Sequence, residues 1–216
     1  MGAAGVREVV VTLHGLWMTG LEMHLLRTRL RRRGYVVHAF RYPSVRHSPH
    51  TNAQALRAFV DQIDAEVVHF VAHSLGGLVV QHLFDQAPLQ RPGRVVFLGT
   101  PLAGSQAARR VAHWPLLGHL ILGASLGGGL QGDVPAWHAG RELGMVAGTG
   151  NSLGVGRLFG GPLSKPHDGT VSLGETRASY VTHRLEVSCG HFALLFRTDV
   201  ADSVGHFLRE GRFSRV

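Results

Sequence analysis

A single cysteine, Cys189, in 216 residues excludes an internal disulfide framework and any four-cysteine metal site. Catalysis by Cys189 itself is disfavoured, because a lone cysteine more often packs as a small apolar side chain. No apolar run reaches the about 18 residues that a membrane-spanning helix needs. The opening Met1-Gly2-Ala3-Ala4-Gly5-Val6-Arg7-Glu8 lacks the basic start and long apolar stretch of a secretory signal. Gly2 matches the first position of a myristoylation signal, but Val6 stands where Ser or Thr is required. A cytoplasmic chain is the expectation. Prolines number 9 and the 29 glycines follow no period, so neither a collagen-like nor a disordered chain fits.

Lysine is almost missing as well: 21 of the 22 basic residues are arginine. The net charge of +8 and an isoelectric point near 11.1 raise nucleic acid as a partner. However, the only dense cluster is Arg27, Arg29, Arg31, Arg32 and Arg33. It ends a predicted helix, where cations complement the helix dipole, and no aromatic residues interleave with it. Nucleic acid is therefore not expected, while peripheral attraction to an anionic membrane surface stays open.

What the chain does have is apolar content, 44% of its residues, enough for one core. A single domain over 1–216 is expected, with a small cap or mobile segment within 102–166. β-branched runs at Glu8–Leu13, Tyr35–Phe40, Val67–Ala72 and Arg94–Leu98 read as buried strands. Helical spacing falls between them at Leu21–Arg33, at Asn52–Ile63 (capped by Thr51 or Asn52) and at Leu78–Gln86. Strand and helix thus alternate to residue 100, which predicts an α/β fold: a mostly parallel central sheet with helices on both faces. Further on, Ala103–Val111 reads as a helix, Trp114–Gly132 as an apolar covering segment and Leu143–Ala147 as a strand. Ser179–Ser188 reads as the last strand and Phe192–Arg209 as the closing helix.

The chemistry is carried by Ala72-His73-Ser74-Leu75-Gly76-Gly77, where the third strand meets a helix. A serine on that sharp turn exposes its hydroxyl above the strand ends, and small residues two before and two after let strand and helix approach. The bland alternative is a serine that merely caps the helix. The helix N-terminus offers free N–H groups to a developing oxyanion, which assigns the Leu75 amide. The loop after the first strand, His14-Gly15-Leu16-Trp17, supplies a second donor: Leu16, with Trp17 as fallback.

A serine hydroxyl also needs a base, and the base an orienting acid. The chain holds 15 histidines, so position must decide. His191 follows the last strand, whereas His183 lies within that strand and His206 within the closing helix. Among the carboxylates, Asp168 stands on a loop beside Gly169 ahead of the last strand, with Asp133 in reserve. Asp85 and Glu186 lie inside regular elements. His167 reads as a surface or substrate-loop residue, and Trp17 and His73 as substrate contacts.

Taken together, Leu13-His14-Gly15, Ala72 to Gly77, Leu98-Gly99-Thr100-Pro101 with Gly104-Ser105, His167-Asp168-Gly169-Thr170-Val171 and Gly190-His191 resemble the α/β-hydrolase fold serine lipases and esterases. The resemblance is closest to small bacterial lipases and the GPI-inositol-deacylase-like group, although Ala72 stands where many relatives carry Gly. It implies an α/β-hydrolase fold with a minimal cap and hydrolysis of a small-molecule or lipid-like carboxylic ester. The reaction would run through a Ser74–His191–Asp168 triad and an acyl-enzyme, with no metal and no cofactor. A thioesterase or amidase with the same residues, or a ligand-binding relative without turnover, are the alternatives.

Overall fold

In a computed structural model, the residues described are 6–115, 117–151, 154, 156 and 161–214. Six parallel strands form one sheet in the order β2-β1-β3-β4-β5-β6. They are β1 (Glu8–Leu13), β2 (Val36–Phe40), β3 (Val67–His73), β4 (Val95–Leu98), β5 (Leu143–Gly148) and β6 (His183–Val187). The helices are α1 (His24–Arg32), α2 (Pro49–Asp61), α3 (Leu75–Gln86), α4 (Gln106–Ala112), α5 (Leu117–Leu122) and α6 (Thr198–Glu210).

The inner strands β1, β3, β4 and β5 are buried on both faces because nearly all of their positions are apolar, whereas the edge strands β2 and β6 keep exposed positions. Val9, Val11 and Leu13 of β1 pack into one core with Leu56 and Val60 of α2 and Val79, Leu83 and Phe84 of α3. Val10 of β1 and Val71 of β3 turn the other way, onto Leu26 and Leu30 of α1 and Val204 and Phe207 of α6. Period-two alternation thus serves two hydrophobic layers rather than one dry and one wet face. The fold is the expected α/β sheet with helices on both sides.

Several boundaries differ from the sequence reading. Helix α2 starts at Pro49, and Ser48 is its cap: the Thr51 amide donates to the Ser48 hydroxyl at 3.2 Å. Proline at the first helical position loses nothing, because its missing N–H would have had no helical acceptor. The closing segment is not one helix. A 3-10 turn over Phe192–Leu195 precedes α6, separated from it by extended Arg197. The last strand is shorter than Ser179–Ser188, and Trp114–Gly132 carries α5 and short turns rather than plain loop. Of the stretch expected to hold a cap, 116, 152–153, 155 and 157–160 lie outside the described residues, as does Gly2.

Strand order also locates the site. After β1 the chain adds β2 on one side, then crosses back to lay β3 to β6 on the other. The loops leaving β1 and β3 therefore diverge at their carboxyl ends, which opens a crevice at this switch point. Leu16 follows β1 there, and Ser74 follows β3.

Candidate active site

Ser74 links β3 directly to α3 with φ 52° and ψ −122°. A non-glycine residue in that region costs on the order of 1–3 kcal/mol and persists only when its surroundings impose it. They do so here from several sides. The Ser74 amide donates to the Leu98 carbonyl at 2.9 Å, and the Thr100 hydroxyl donates to the Ser74 carbonyl at 3.0 Å. A Cβ on Gly76 would stand 2.6 Å from the His14 carbonyl oxygen, and one on Gly77 2.2 Å from the Thr100 hydroxyl. Only glycine lets α3 start this close to β1 and β4. The Ser74 side chain makes no capping hydrogen bond to α3, so the helix does not use it as an ordinary cap.

The candidate acid and base meet in the same crevice. His191 Nδ1–H donates to Asp168 Oδ2 at 2.6 Å, with the two residues 4% and 1% exposed. The second carboxylate oxygen of Asp168 accepts the amides of Thr170 at 2.9 Å and Val171 at 2.7 Å. Its carbonyl takes the His191 amide at 3.0 Å. The Asp-Gly turn therefore orients the carboxylate as well as reversing the chain. Two glycines make room: a Cβ on Gly99 would lie 2.9 Å from the His191 ring, and one on Gly148 2.7 Å from the Asp168 Cβ. The reserve acid Asp133 is used elsewhere, accepting the Gly128 and Gly129 amides at 2.7 and 2.8 Å. Burial works against that carboxylate, yet those amides hold it below its usual range.

Ser74 and His191 line one narrow cavity, together with Leu16, Trp17, His73 and Leu75. Its further wall is Ala107, Ala108 and Val111 of α4 with Leu122 and Leu130, and among the described residues no Arg, Lys, Asp or Glu lines it. A wider groove at the amino end of the sheet, lined by Arg7, Glu8, Arg33 and Arg209 among others, holds no comparable pair.

The two candidate donors are now distinguishable. Leu75 opens α3, so its amide has no helical acceptor. Among the described residues the Leu16 amide has no acceptor either. The Trp17 amide, the fallback, is taken by the Ser44 hydroxyl at 3.1 Å. The loop is pinned by His14, whose Nδ1–H donates to the Gly15 carbonyl at 2.9 Å. That leaves His14 Nε2 to accept the Tyr42 amide at 3.4 Å. The Tyr42 hydroxyl closes on the His14 carbonyl at 2.6 Å, its ring stacked on the imidazole. Burial keeps His14 neutral by lowering its pKa.

His73 also faces the cavity, but it is 1% exposed and packs 4.6 Å from the His191 ring. Its Nε2–H donates to the His191 carbonyl at 3.3 Å, while Nδ1 has no hydrogen-bond partner. Burial, reinforced by His191, drives its pKa well below the ordinary value. His167 is not a surface residue: it is 2% exposed, and its Nδ1 accepts the Gly169 amide at 3.1 Å, stiffening the Asp168 turn. Cys189 is buried beneath the site, and burial pushes its thiol upward. Sequence reasoning missed Ser44, Tyr42 and the clamp formed by Thr100. Only Thr100 had a signal, in the Gly99-Thr100-Pro101 turn.

The chain belongs to the family described as "Domain of unknown function (DUF7379)", whose model matches residues 9–134. Among curated proteins none matches the sequence. Solved structures do. The mature lipase BlEst2 of Bacillus licheniformis is similar at 20% identity and TM-score 0.71, over 95% of this chain and 92% of that one. A metagenomic carboxyl esterase, MGS0156, gives 18%, TM-score 0.66, and 90% and 67% coverage. The Pyrococcus furiosus esterase PF2001 gives 17%, TM-score 0.64, and 95% and 82% coverage. At such identities these relatives establish the α/β-hydrolase fold.

Proposed function

We propose that this protein is a serine hydrolase that cleaves carboxylic esters of uncharged, apolar acyl groups through an acyl-enzyme. The observation that carries the reading is the strained Ser74 turn sharing one cavity with a buried His191–Asp168 pair. His191 takes the Ser74 proton as the hydroxyl oxygen attacks the ester carbonyl. Asp168 holds the tautomer with the proton on Nδ1, which leaves Nε2 as the base, and stabilises the imidazolium that forms. The amides of Leu75 and Leu16 receive the oxyanion, each donor contributing about 3 kcal/mol to the transition state. His191 returns its proton to the leaving alkoxide, then activates water to free the acyl group and regenerate Ser74. Leu16, Ala107, Ala108, Val111, Leu122 and Leu130 would hold the acyl chain, and the apolar lining among the described residues favours apolar acyl groups. Relatives of this fold that are named as lipases and esterases support the same class.

The test is steady-state hydrolysis of p-nitrophenyl esters of graded chain length, beside matched thioesters and anilides. The proposal expects ester turnover that disappears in Ser74→Ala. Turnover of thioesters or anilides alone would move the protein to a different acyl-transfer class, and ester turnover that persists in Ser74→Ala would remove Ser74 from the mechanism.

A further inference from the structure

The mouth of the cavity opens onto an apolar face. Trp17 and Phe192 line the cavity yet remain 46% and 40% exposed. The Trp17 indole N–H donates to the Ile121 carbonyl at 2.8 Å, which ties the loop after β1 to α5. Helix α5 turns Gly118 and Leu122 inward and leaves Leu117 and Leu120 outward, 53% and 75% exposed. Trp114, just ahead of α5, is partly exposed too. One exposed leucine would need no explanation, but five large apolar side chains around one opening form a surface built for contact.

The charge around this face has one sign. No carboxylate occurs between Met23 and Val60 or between Ala87 and Gly132, the stretches that supply most of the rim. Arg46 is exposed beside α5: the Ala124 amide donates to the Val45 carbonyl at 2.9 Å, which fixes the Arg46 loop against the end of that helix. Three of the carboxylates flanking these stretches are engaged elsewhere: Glu22 accepts the Thr19 and Gly20 amides, Asp61 pairs with Arg57, and Asp133 accepts the Gly128 and Gly129 amides. Near Phe192, Asp199 pairs with Arg197.

Aromatic and aliphatic side chains with an exposed arginine beside them, in stretches that carry no carboxylate, fit a layer that is apolar inside and anionic at its surface. We infer that this face docks on an anionic lipid bilayer, with Trp17, Trp114, Leu117, Leu120 and Phe192 entering the headgroup boundary and Arg46 meeting lipid phosphates. Docking would set the cavity mouth against the membrane, so an acyl group could pass from the bilayer to Ser74 without crossing water. The contact itself requires no turnover and is separable from the acyl-transfer reading.

The test is co-sedimentation of the full chain with phosphatidylcholine vesicles, with and without phosphatidylglycerol, across a salt series. Binding is expected on the anionic vesicles only, weakening as salt shortens the Debye length from about 10 Å at 0.1 M to about 3 Å at 1 M. The Leu117→Glu/Leu120→Glu double variant alters only outward side chains and should bind at least tenfold more weakly, with soluble-ester turnover unchanged. Arg46→Glu should lose about fivefold. Equal binding to neutral and anionic vesicles, or undiminished binding by the double variant, would overturn the proposal. So would a dimer seen by light scattering that the double variant dissolves, since the face would then be a self-contact. Ser74→Ala should sediment like the parent chain, so loss of the hydrolase reading and loss of the docking reading give different results.

Discussion

The two ends of the β-sheet are built from the same strands and solve opposite problems. At the amino end, arginines are spent on backbone carbonyls. Arg141 donates to Val68 and Arg91, Arg91 to Val60 and Ile63, and Arg94 to Leu208, Arg209 and the Glu142 carboxylate. Charge and acceptor are matched there, and much of the +8 is structural. At the carboxyl end, among the described residues, groups stay unmatched: a serine in a strained conformation, the Leu16 and Leu75 amides without acceptors, and a His191 ring hydrogen-bonded through Nδ1. Strain and unmatched donors of this kind concentrate where a fold holds a site, so the contrast points to the same candidate site independently of any motif.

Substitutions at both ends can break this comparison. The largest effect belongs to Ser74→Ala, which should reduce ester kcat to background while leaving the urea midpoint within experimental scatter, because the Ser74 side chain caps no helix amide. Asp168→Asn should follow, with a kcat loss of roughly 10⁴-fold, as the wrong His191 tautomer becomes favoured. Gly99→Ala comes third: at φ +61° its Cβ would sit 2.9 Å from the His191 ring. Displacing that ring by a fraction of an ångström should cost on the order of 10²-fold in kcat, with KM little changed. At the amino end, Arg141→Met strands the Val68 and Arg91 carbonyls. It should cost about 1–3 kcal/mol in urea denaturation and leave kcat untouched. A kcat loss there as large as that of Gly99→Ala would erase the distinction between the ends.

The smallest effect is a dependence of stability on pH. Burial holds the His14 and His73 imidazoles below their ordinary 6.5 in the folded chain. Between 6.5 and those lowered values the unfolded chain binds more protons, so stability falls as pH drops through that window and is retained above it. Urea midpoints at about pH 8 and about pH 5.5 should show the fall, and His73→Phe should make it shallower. An unchanged midpoint would mean that these rings take up protons without unfolding the crevice.

Much of this was legible in the chain because buried parallel strands are continuous β-branched runs, and Glu8–Leu13 and Val67–His73 are such runs. Ser74 stood out through its small neighbours Gly76 and Gly77, whose absence of side chain the close approach to β1 and β4 demands. The start of α2 was hidden because Ser48-Pro49 punctuates loops and opens helices with equal ease. The break at Arg197 was hidden because the apolar spacing runs through it with no Gly or Pro to mark a stop. His167 looked like loop surface because nothing local reveals that its ring folds back on the Gly169 amide. The partnership of Ser44 with Trp17, and of Thr100 with Ser74, joins residues about 26 apart in the chain and exists only after folding. Geometry of that kind decides which of two neighbouring amides is free, and no spacing rule could separate Leu16 from Trp17.

The central claim is that Ser74 is an activated nucleophile. The most direct measurement is intact-mass spectrometry of the folded protein after reaction with a fluorophosphonate, followed by peptide mapping. One adduct on the Ser74 peptide, absent in Ser74→Ala and slowed severely in Asp168→Asn, is the predicted result. A folded protein that stays unlabelled, or one whose label survives Ser74→Ala, would contradict it.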